Sequence, residues 1–347
     1  MTKISKLTNL ALLSAGLLTT SNLVFAQQFA IAIHGGAGTI KKENFTPEKE
    51  AAYRAKLEQA TNAGYAILEA GGSSLDAINK AVNVLENSPL FNAGLGAVYT
   101  YDGAHELDAS IMDGKTKNAG AVAGVKHIQN PINLARLVMT NSVHVMLSGA
   151  GAEEFALEQQ IPLINNSHFD TERRYKALLK AKAKLKALKD KSKATKDYQA
   201  NYKHWDQAYK MGTVGAVAVD KSGNVAAATS TGGMTAKRYG RIGDSPVIGA
   251  GTWADNQSCA VSATGHGEYF IRYNVASDIC ARVLYQGKSI EQASEEVIFG
   301  PMFKAGGTGG VIVVDPKGNV ALTFNTKGMY RGSRVSGEMA KIAIFEK

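Results

Sequence analysis

Cysteine is scarce: Cys259 and Cys280 are the only two in 347 residues. That excludes a disulfide-rich scaffold and any CxxC metal site, and leaves room for a single optional disulfide. Long apolar runs are equally rare. Lys3 and Lys6 precede an apolar stretch from Leu10 to Leu18, and small residues follow, ending at Val24-Phe25-Ala26. This pattern predicts a secretory signal over residues 1–26, removed after Ala26, because Ser14 and Gly16 interrupt a stretch well short of the roughly 20 apolar residues of a membrane span. No later segment reaches that length, so the expectation is an exported, periplasmic protein with no membrane span. The histidines include no HExxH pair, which argues against a catalytic metal. His105, ahead of Glu106 and Asp108, is expected to be a packed strand-end residue rather than a ligand. The glycine-rich stretches GGAG and GTGG lack the Lys-Ser/Thr ending of a phosphate loop and do not support nucleotide binding. No internal repeat is present.

With 45% hydrophobic residues, the chain can bury a sizeable core. Its net charge of +9 is concentrated in one place: Asp170 to Lys210 holds 13 Lys/Arg against 5 Asp/Glu, a local excess of +8. Few large apolar residues accompany that charge, so the segment, about 170–210, is expected to be a mobile basic linker. A polyanion-binding patch is the competing reading of such lysines; no nucleic-acid partner is expected. Elsewhere the pattern predicts strands at Phe29–Ile33, Ala97–Tyr99, Leu107–Met112, Ala119–Val125, Thr213–Val219, Val225–Thr229, Cys259–Ala263, Gly310–Val314 and Val320–Phe324. Helices are predicted after Thr46-Pro47 to about Leu68, after Ser73, near Ile132–Met139, Gly151–Gln159 and Glu268–Tyr285, and after Ser289, where Gln292 completes a box-like start. Strands in both halves with helices between suggest a layered α/β or α+β body.

The lysine-rich segment ends in KMGTVGAVAVD, Lys210 to Asp220. A threonine hydroxyl is a weak nucleophile unless a base removes its proton, and the α-amine of the same residue can serve once that residue begins a chain. That amine has a pKa near 7.7–8, against about 10.4 for lysine, so a useful fraction is neutral at physiological pH. Thr213 would acquire it if the bond after Gly212 were cut, and glycine tolerates the conformations such a cut requires. A β-branched residue opening a strand after a glycine turn is the second reading; the pattern alone leaves both open.

The stretch GTVGAVAVDKSGNVAAATSTGGMTAKRYGRIGDSPVIGAGTWADN, from Gly212, closely resembles the plant-type asparaginase and isoaspartyl aminopeptidase family of N-terminal nucleophile hydrolases. So do HGGAG at His34, LENSPLFNAGLGAVYT from Leu85, HELDASIMDG from His105, TGHGE from Thr264 and FNTKGMYRG from Phe324. The resemblance spans most of the chain after residue 26, with the lysine-rich segment as its variable part. It implies an α+β, four-layer αββα sandwich, one structural domain over 27–347, cut between Gly212 and Thr213. The products would be an α subunit, 27–212, and a β subunit, 213–347, assembled as a dimer of αβ heterodimers. The implied activity is hydrolysis of β-aspartyl peptides and L-asparagine, so the partner is a small-molecule or short-peptide substrate.

Residue by residue, the resemblance makes Thr213 the nucleophile and Thr231 the hydroxyl that tunes it. Arg241 and Asp244 would hold the substrate's α-carboxylate and α-ammonium, with Gly267 beside them. Thr264 and Gly265 would form the oxyanion hole, and Asn92 would lie next to the nucleophile. These roles suit the chemistry: a planar guanidinium grips a carboxylate with two hydrogen bonds, and a hydroxyl and an N–H aimed at developing negative charge stabilise it by about 3 kcal/mol. No catalytic cofactor is implied. A structural sodium is, held largely by backbone carbonyls of Leu85, Glu86, Ser88, Phe91, Ala93 and Leu95, as suits a hard cation. Two rival readings stand beside this one. A glycosylasparaginase-type amidase shares the fold but is cut after Asp, which Gly212 disfavours; an exported polyanion-binding protein would leave Thr213 inert.

Overall fold

The structure, a computed structural model, describes residues 27–192 and 212–346. The predicted signal and the second half of the basic segment lie outside the described residues. Twelve strands among the described residues form two sheets. The larger contains β1 (Ala30–Gly38), β2 (Leu107–Asp113), β3 (Ala119–Val125), β4 (Met146–Ser148), β5 (Val214–Val219), β6 (Val225–Thr231), β11 (Gly328–Val335) and β12 (Lys341–Phe345), in the order β12-β11-β1-β5-β6-β2-β3-β4. The smaller contains β7 (Thr252–Ala254), β8 (Ala260–Gly265), β9 (Gly309–Val314) and β10 (Val320–Phe324), in the order β10-β9-β8-β7.

Side-chain alternation along the strands separates three apolar layers. Val214, Ala216 and Ala218 of β5 face one core, which Leu57 and Leu68 of α1 (Pro47–Glu69), Ile78 and Val82 of α2 (Ser74–Glu86) and Leu134 of α3 (Pro131–Asn141) complete. Val217 and Val219 face the other way and meet Ile312 and Val314 of β9 between the sheets. Val311 and Val313 then pack beneath Ile279 and Val297 of the helices covering the second sheet. The result is the four-layer αββα sandwich, with α1, α2, α3 and α4 (Gly149–Glu158) on one outside face.

Local chemistry sets the helix starts. The Thr46 hydroxyl accepts the Lys49 amide and Pro47 occupies the first turn, where its missing N–H costs nothing. Ser73 caps α2 through the Asp76 amide, and Ser289 and Gln292 form a reciprocal capping box at the start of the helix Ile290–Ile298. Each of these starts agrees with the sequence expectation.

Three expectations are corrected, and four strands are added. Residues 170–210 are not a mobile linker throughout, because α5 (Glu172–Ser192) is helical. Arg174 is buried and its Nε donates to the Gly96 carbonyl at 2.7 Å, while Leu178 and Ala181 pack on Tyr99 and Ala236. Counting charge missed that Arg174 is used inside and that Leu178, Ala181 and Leu185 share one helical stripe. The helix predicted over Glu268–Tyr285 is two, α6 (Gly267–Arg272) and α7 (Val275–Gln286), separated by Asn274 at φ +45°; asparagine is among the few side chains that tolerate this left-handed turn. Ala97–Tyr99 is not a strand; the Val98 amide donates to the Asn92 side chain instead. Finally, β4, β7, β11 and β12 were not anticipated, and β11 in particular is disguised by Arg331, which is buried over the Phe324 ring at 4.7 Å.

Cys259 and Cys280 are joined, with Cα atoms 5.3 Å apart. The bond ties α7 to the start of β8 inside the outer core, and closing a loop of this size contributes about 3 kcal/mol by the chain-entropy estimate. His105 is packed, as expected: it is buried, with Nδ1 3.1 Å from the Val98 carbonyl and Nε2 3.1 Å from Asp170.

Candidate active site

At the seam the chain passes through Gly212 at φ +67° and enters β5 at Val214. Directly opposite lies Gly36 of the HGGAG turn, at φ +111°. A Cβ on Gly36 would stand 2.2 Å from the Gly212 Cα, so the two glycines are pressed back to back. Neither left-handed conformation suits a side chain. HGGAG therefore functions structurally as the bed on which the Gly212–Thr213 peptide rests.

Thr213 is nearly buried, and its Oγ donates to the Thr231 Oγ at 3.2 Å. Thr231 ends β6, and its oxygen also accepts the Gly233 amide at 3.0 Å. Two donors converging on that oxygen leave it committed as an acceptor, which orients the Thr213 hydroxyl. Asn92 braces the same turn: its Nδ2 donates to the Gly233 carbonyl at 2.7 Å, and its own carbonyl accepts the Gly232 amide at 3.1 Å. A Cβ on Gly232 would stand 2.6 Å from Asn92 Oδ1, which explains the glycine pair in TSTGG. Asn92 lines a small cavity with Gly35, Gly36 and Gly212, adjacent to the main cleft.

That cleft, partly open to solvent, is lined by Gly212, Thr213, Thr231, Arg241, Asp244 and Gly265, among others including Gly267 and His266. The structure thus brings Thr213, Thr231 and, of the predicted substrate-binding residues, Arg241, Asp244, Gly265 and Gly267 into one place, while Thr264 is not among the lining residues. Thr264 is fully buried at the end of β8, where its hydroxyl accepts the Ala37 amide at 3.3 Å; Gly265 follows it onto the cleft wall.

The charged end of the cleft differs from a simple Arg–Asp pair. Arg241 Nε and Nη2 donate to the two carboxylate oxygens of Glu268, both at 2.9 Å. Glu268, in the TGHGE motif, had no assigned role from sequence; its signal was a carboxylate three residues after Gly265. His266 Nε2 is 3.2 Å from the same carboxylate. One edge of the guanidinium is therefore held, and the opposite edge, carrying Nη1, is available to a second carboxylate. Asp244 is buried, and among the described residues its Oδ2 has no hydrogen-bond partner. Burial pushes its carboxyl up to about 7 despite the nearby Arg241. A buried carboxylate that lines the cleft with one oxygen unsatisfied among the described residues is suited to binding a cation. Gly267 permits the convergence, since a Cβ there would stand 2.8 Å from Asp244 Oδ1 and 2.9 Å from Arg241 Nη2.

Of the six residues expected to hold sodium, all but the partly exposed Leu95 are buried, although Asn87 and Pro89 between them are exposed. The Glu86 side chain has its own task, accepting Ser230 Oγ at 2.6 Å, the Asn130 amide nitrogen at 3.0 Å and the Ile132 amide at 3.1 Å. Burial raises its carboxyl to about 7. Among the described residues no cluster of three or more His, Cys, Asp and Glu side chains is arranged to hold a metal.

Comparison with known proteins places this geometry in context. The asparaginase family model matches residues 27–344. The chain is 50% identical over 317 residues to an isoaspartyl peptidase of Salmonella typhimurium, covering 91% of this chain and 98% of that protein. It is 49% identical to the isoaspartyl peptidase of Escherichia coli, over 91% of this chain and 96% of the relative. A probable isoaspartyl peptidase/L-asparaginase of Arabidopsis thaliana is 39% identical, with 92% and 99% covered.

Proposed function

Because the chain belongs to the asparaginase family and is thus an amidohydrolase, we propose that it hydrolyses β-aspartyl peptides and L-asparagine with Thr213 as an N-terminal nucleophile. The observation that carries this reading is the convergence of Gly212, Thr213, Thr231, Arg241 and Asp244 on one cleft. The precursor matures when Thr213 Oγ attacks the Gly212 carbonyl carbon and the peptide nitrogen leaves, carrying the hydroxyl proton. Water then hydrolyses the ester, leaving a Gly212 carboxylate and a Thr213 α-amine, and so an α subunit 27–212 and a β subunit 213–347.

In the mature site the amine takes the Oγ proton and Oγ attacks the substrate's side-chain carbonyl. The oxyanion is stabilised by the Thr264 hydroxyl and the Gly265 N–H. The ammonium returns its proton to the leaving amine, and ammonia or a peptide departs. Water then cleaves the β-aspartyl ester to release aspartate. Arg241 and Asp244 bind the α-carboxylate and α-ammonium, which leaves the side-chain amide as the bond presented to Thr213. One cleft serves both substrates because their aspartyl halves are identical.

A structural sodium fits the loop after α2. The turn winds so tightly that a Cβ on Gly94 would stand 2.4 Å from the Glu86 carbonyl oxygen, and one on Gly96 would stand 1.9 Å from that of Phe91. Carbonyls of Leu85, Glu86, Ser88, Phe91, Ala93 and Leu95 would hold the ion, whose contribution is to pin the loop that carries Asn92. Export is supported by the leader-like residues 1–26 and by the Cys259–Cys280 bond, which an oxidising compartment favours. No helix among the described residues is long and apolar enough to cross a membrane. Assembly is proposed as a dimer of αβ heterodimers.

The test is turnover by purified, matured protein. Aspartate should be released from a β-aspartyl dipeptide and ammonia from L-asparagine, each competing with the other; release from an α-aspartyl dipeptide at the same rate would defeat the reading. Maturation has its own probe in Gly36→Ala. A Cβ 2.2 Å from the Gly212 Cα, at a φ no alanine favours, should displace the scissile peptide and slow the appearance of the two fragments by at least about tenfold, equivalent to roughly 1.4 kcal/mol. Time-resolved denaturing electrophoresis measures it, and an unchanged rate would contradict the role given to HGGAG.

A further inference from the structure

Between the two sheets, in a layer otherwise made of alanine, valine, isoleucine and methionine, runs a buried line of polar side chains that the mechanism above does not use. Thr252 Oγ donates to Thr229 Oγ at 2.6 Å. Thr229 Oγ is 2.7 Å from Ser262 Oγ, and Ser262 Oγ is 2.9 Å from His34 Nε2. On its other side His34 Nδ1 is 3.1 Å from the backbone carbonyl of Thr213. The line zigzags between sheets, from β7 to β6, β8 and β1, and all four side chains are fully buried.

Donor counting assigns its direction. A carbonyl only accepts, so Nδ1 of His34 carries the proton. Burial holds the imidazole neutral, its pKa pushed down to about 3, so Nε2 must accept. Ser262 therefore gives its single proton to Nε2 and accepts from Thr229, whose one proton is shared between Ser262 at 2.7 Å and the Gly251 carbonyl at 3.1 Å, and Thr229 in turn accepts from Thr252. The backbone has been shaped for this line. A Cβ on Gly215, the residue opposite His34 in β5, would stand 2.0 Å from Ser262 Oγ and 2.5 Å from His34 Nε2. A glycine inside a strand marks such a close approach.

We propose that His34 is a positioning residue for the nucleophile: its Nδ1–H clamps the Thr213 carbonyl, and the Thr252–Thr229–Ser262 hydroxyl line locks the ring in the tautomer that can do so. Once the Gly212–Thr213 bond is cut, Thr213 loses its covalent hold on the preceding residue. The His34 clamp and the Thr231 hydroxyl then hold the new terminus from two sides, so that amine and Oγ stay aimed at the cleft. The proposal rests on the reading of Thr213 as the nucleophile.

The test combines a spectroscopic and a kinetic readout on the matured enzyme. Nitrogen-15 NMR of histidine-labelled protein, with the His34 signals assigned by their loss in His34→Asn, should show a neutral ring protonated at Nδ1. In Ser262→Ala the ring should populate both tautomers. His34→Leu should lower kcat about tenfold or more, the size of one lost buried hydrogen bond, with KM changed little. His34→Asn, whose amide can reach the same carbonyl, should recover most of that loss. A ring protonated at Nε2, or His34→Asn no faster than His34→Leu although both mature, overturns the proposal. The tautomer is read on the wild type, so it decides the matter even if the variants fail to fold. Should Thr213→Ala keep its activity, the nucleophile assignment fails separately, whatever the tautomer.

Discussion

Thr213→Ala is expected to remain a single polypeptide and to lose turnover by about four orders of magnitude or more, because no other group supplies both the attacking oxygen and its base. The loss should appear in kcat for both substrates together, since they share the acyl intermediate. Thr213→Ser preserves the oxygen and the amine. It should mature and retain measurable activity, reduced because serine lacks the methyl group that restricts Thr213 to one rotamer beside Thr231. Electrophoresis and initial rates of aspartate release check both. The pairing is informative: a defect in folding alone would not separate Ala from Ser.

The second large effect lies at the charged end of the cleft. Asp244→Asn and Arg241→Ala should each lower kcat/KM by about 10² or more, the scale of one or two charge-assisted hydrogen bonds in a desolvated site. Arg241→Ala carries an added cost because it strips Glu268 of its bidentate partner. The pH dependence follows from Asp244. In the free enzyme its carboxyl titrates at about 7, and only the ionised form attracts the substrate ammonium, so kcat/KM should rise as pH passes through about 7. Bound substrate favours the ionised form, which moves the corresponding limb of kcat to lower pH. Asp244→Asn should remove this limb and leave the one belonging to the Thr213 amine. Stability runs the other way. The folded carboxyl lies above its ordinary value of 3.8, so its contribution is complete below that value and is lost as pH rises through about 7. Thermal unfolding between pH 5 and 8 should register the decline, and added aspartate should reverse it.

Much of this was legible in the residues themselves. Thr46-Pro47, Ser73 and the Ser289/Gln292 box announced helices because capping is local chemistry, settled within four positions. The strands β2, β3, β5, β6 and β10 announced themselves through β-branched and small residues in short runs. Thr213, Arg241 and Asp244 line one cleft, a convergence that the resemblance of their motifs to the family implied. What escaped was carried by contacts between distant parts of the chain. Glu268 matters through Arg241, 27 positions away, and nothing in TGHGE says which cation its carboxylate will meet. Ser262 and Thr229 read as ordinary strand residues; only folding brings them to His34, 228 positions from Ser262. Gly215 was the one trace of that line, a glycine where β5 otherwise has valine and alanine. The helix α5 was hidden by its charge, since Arg173 and Arg174 read as solvated until their donors are seen on Tyr53 and Gly96.

The most direct measurement of the central claim is intact-mass analysis and N-terminal sequencing of the purified, active enzyme. The account predicts two polypeptides, one ending at Gly212 and the other beginning Thr213-Val214-Gly215. Full activity in a preparation whose every molecule keeps the Gly212–Thr213 bond would contradict it.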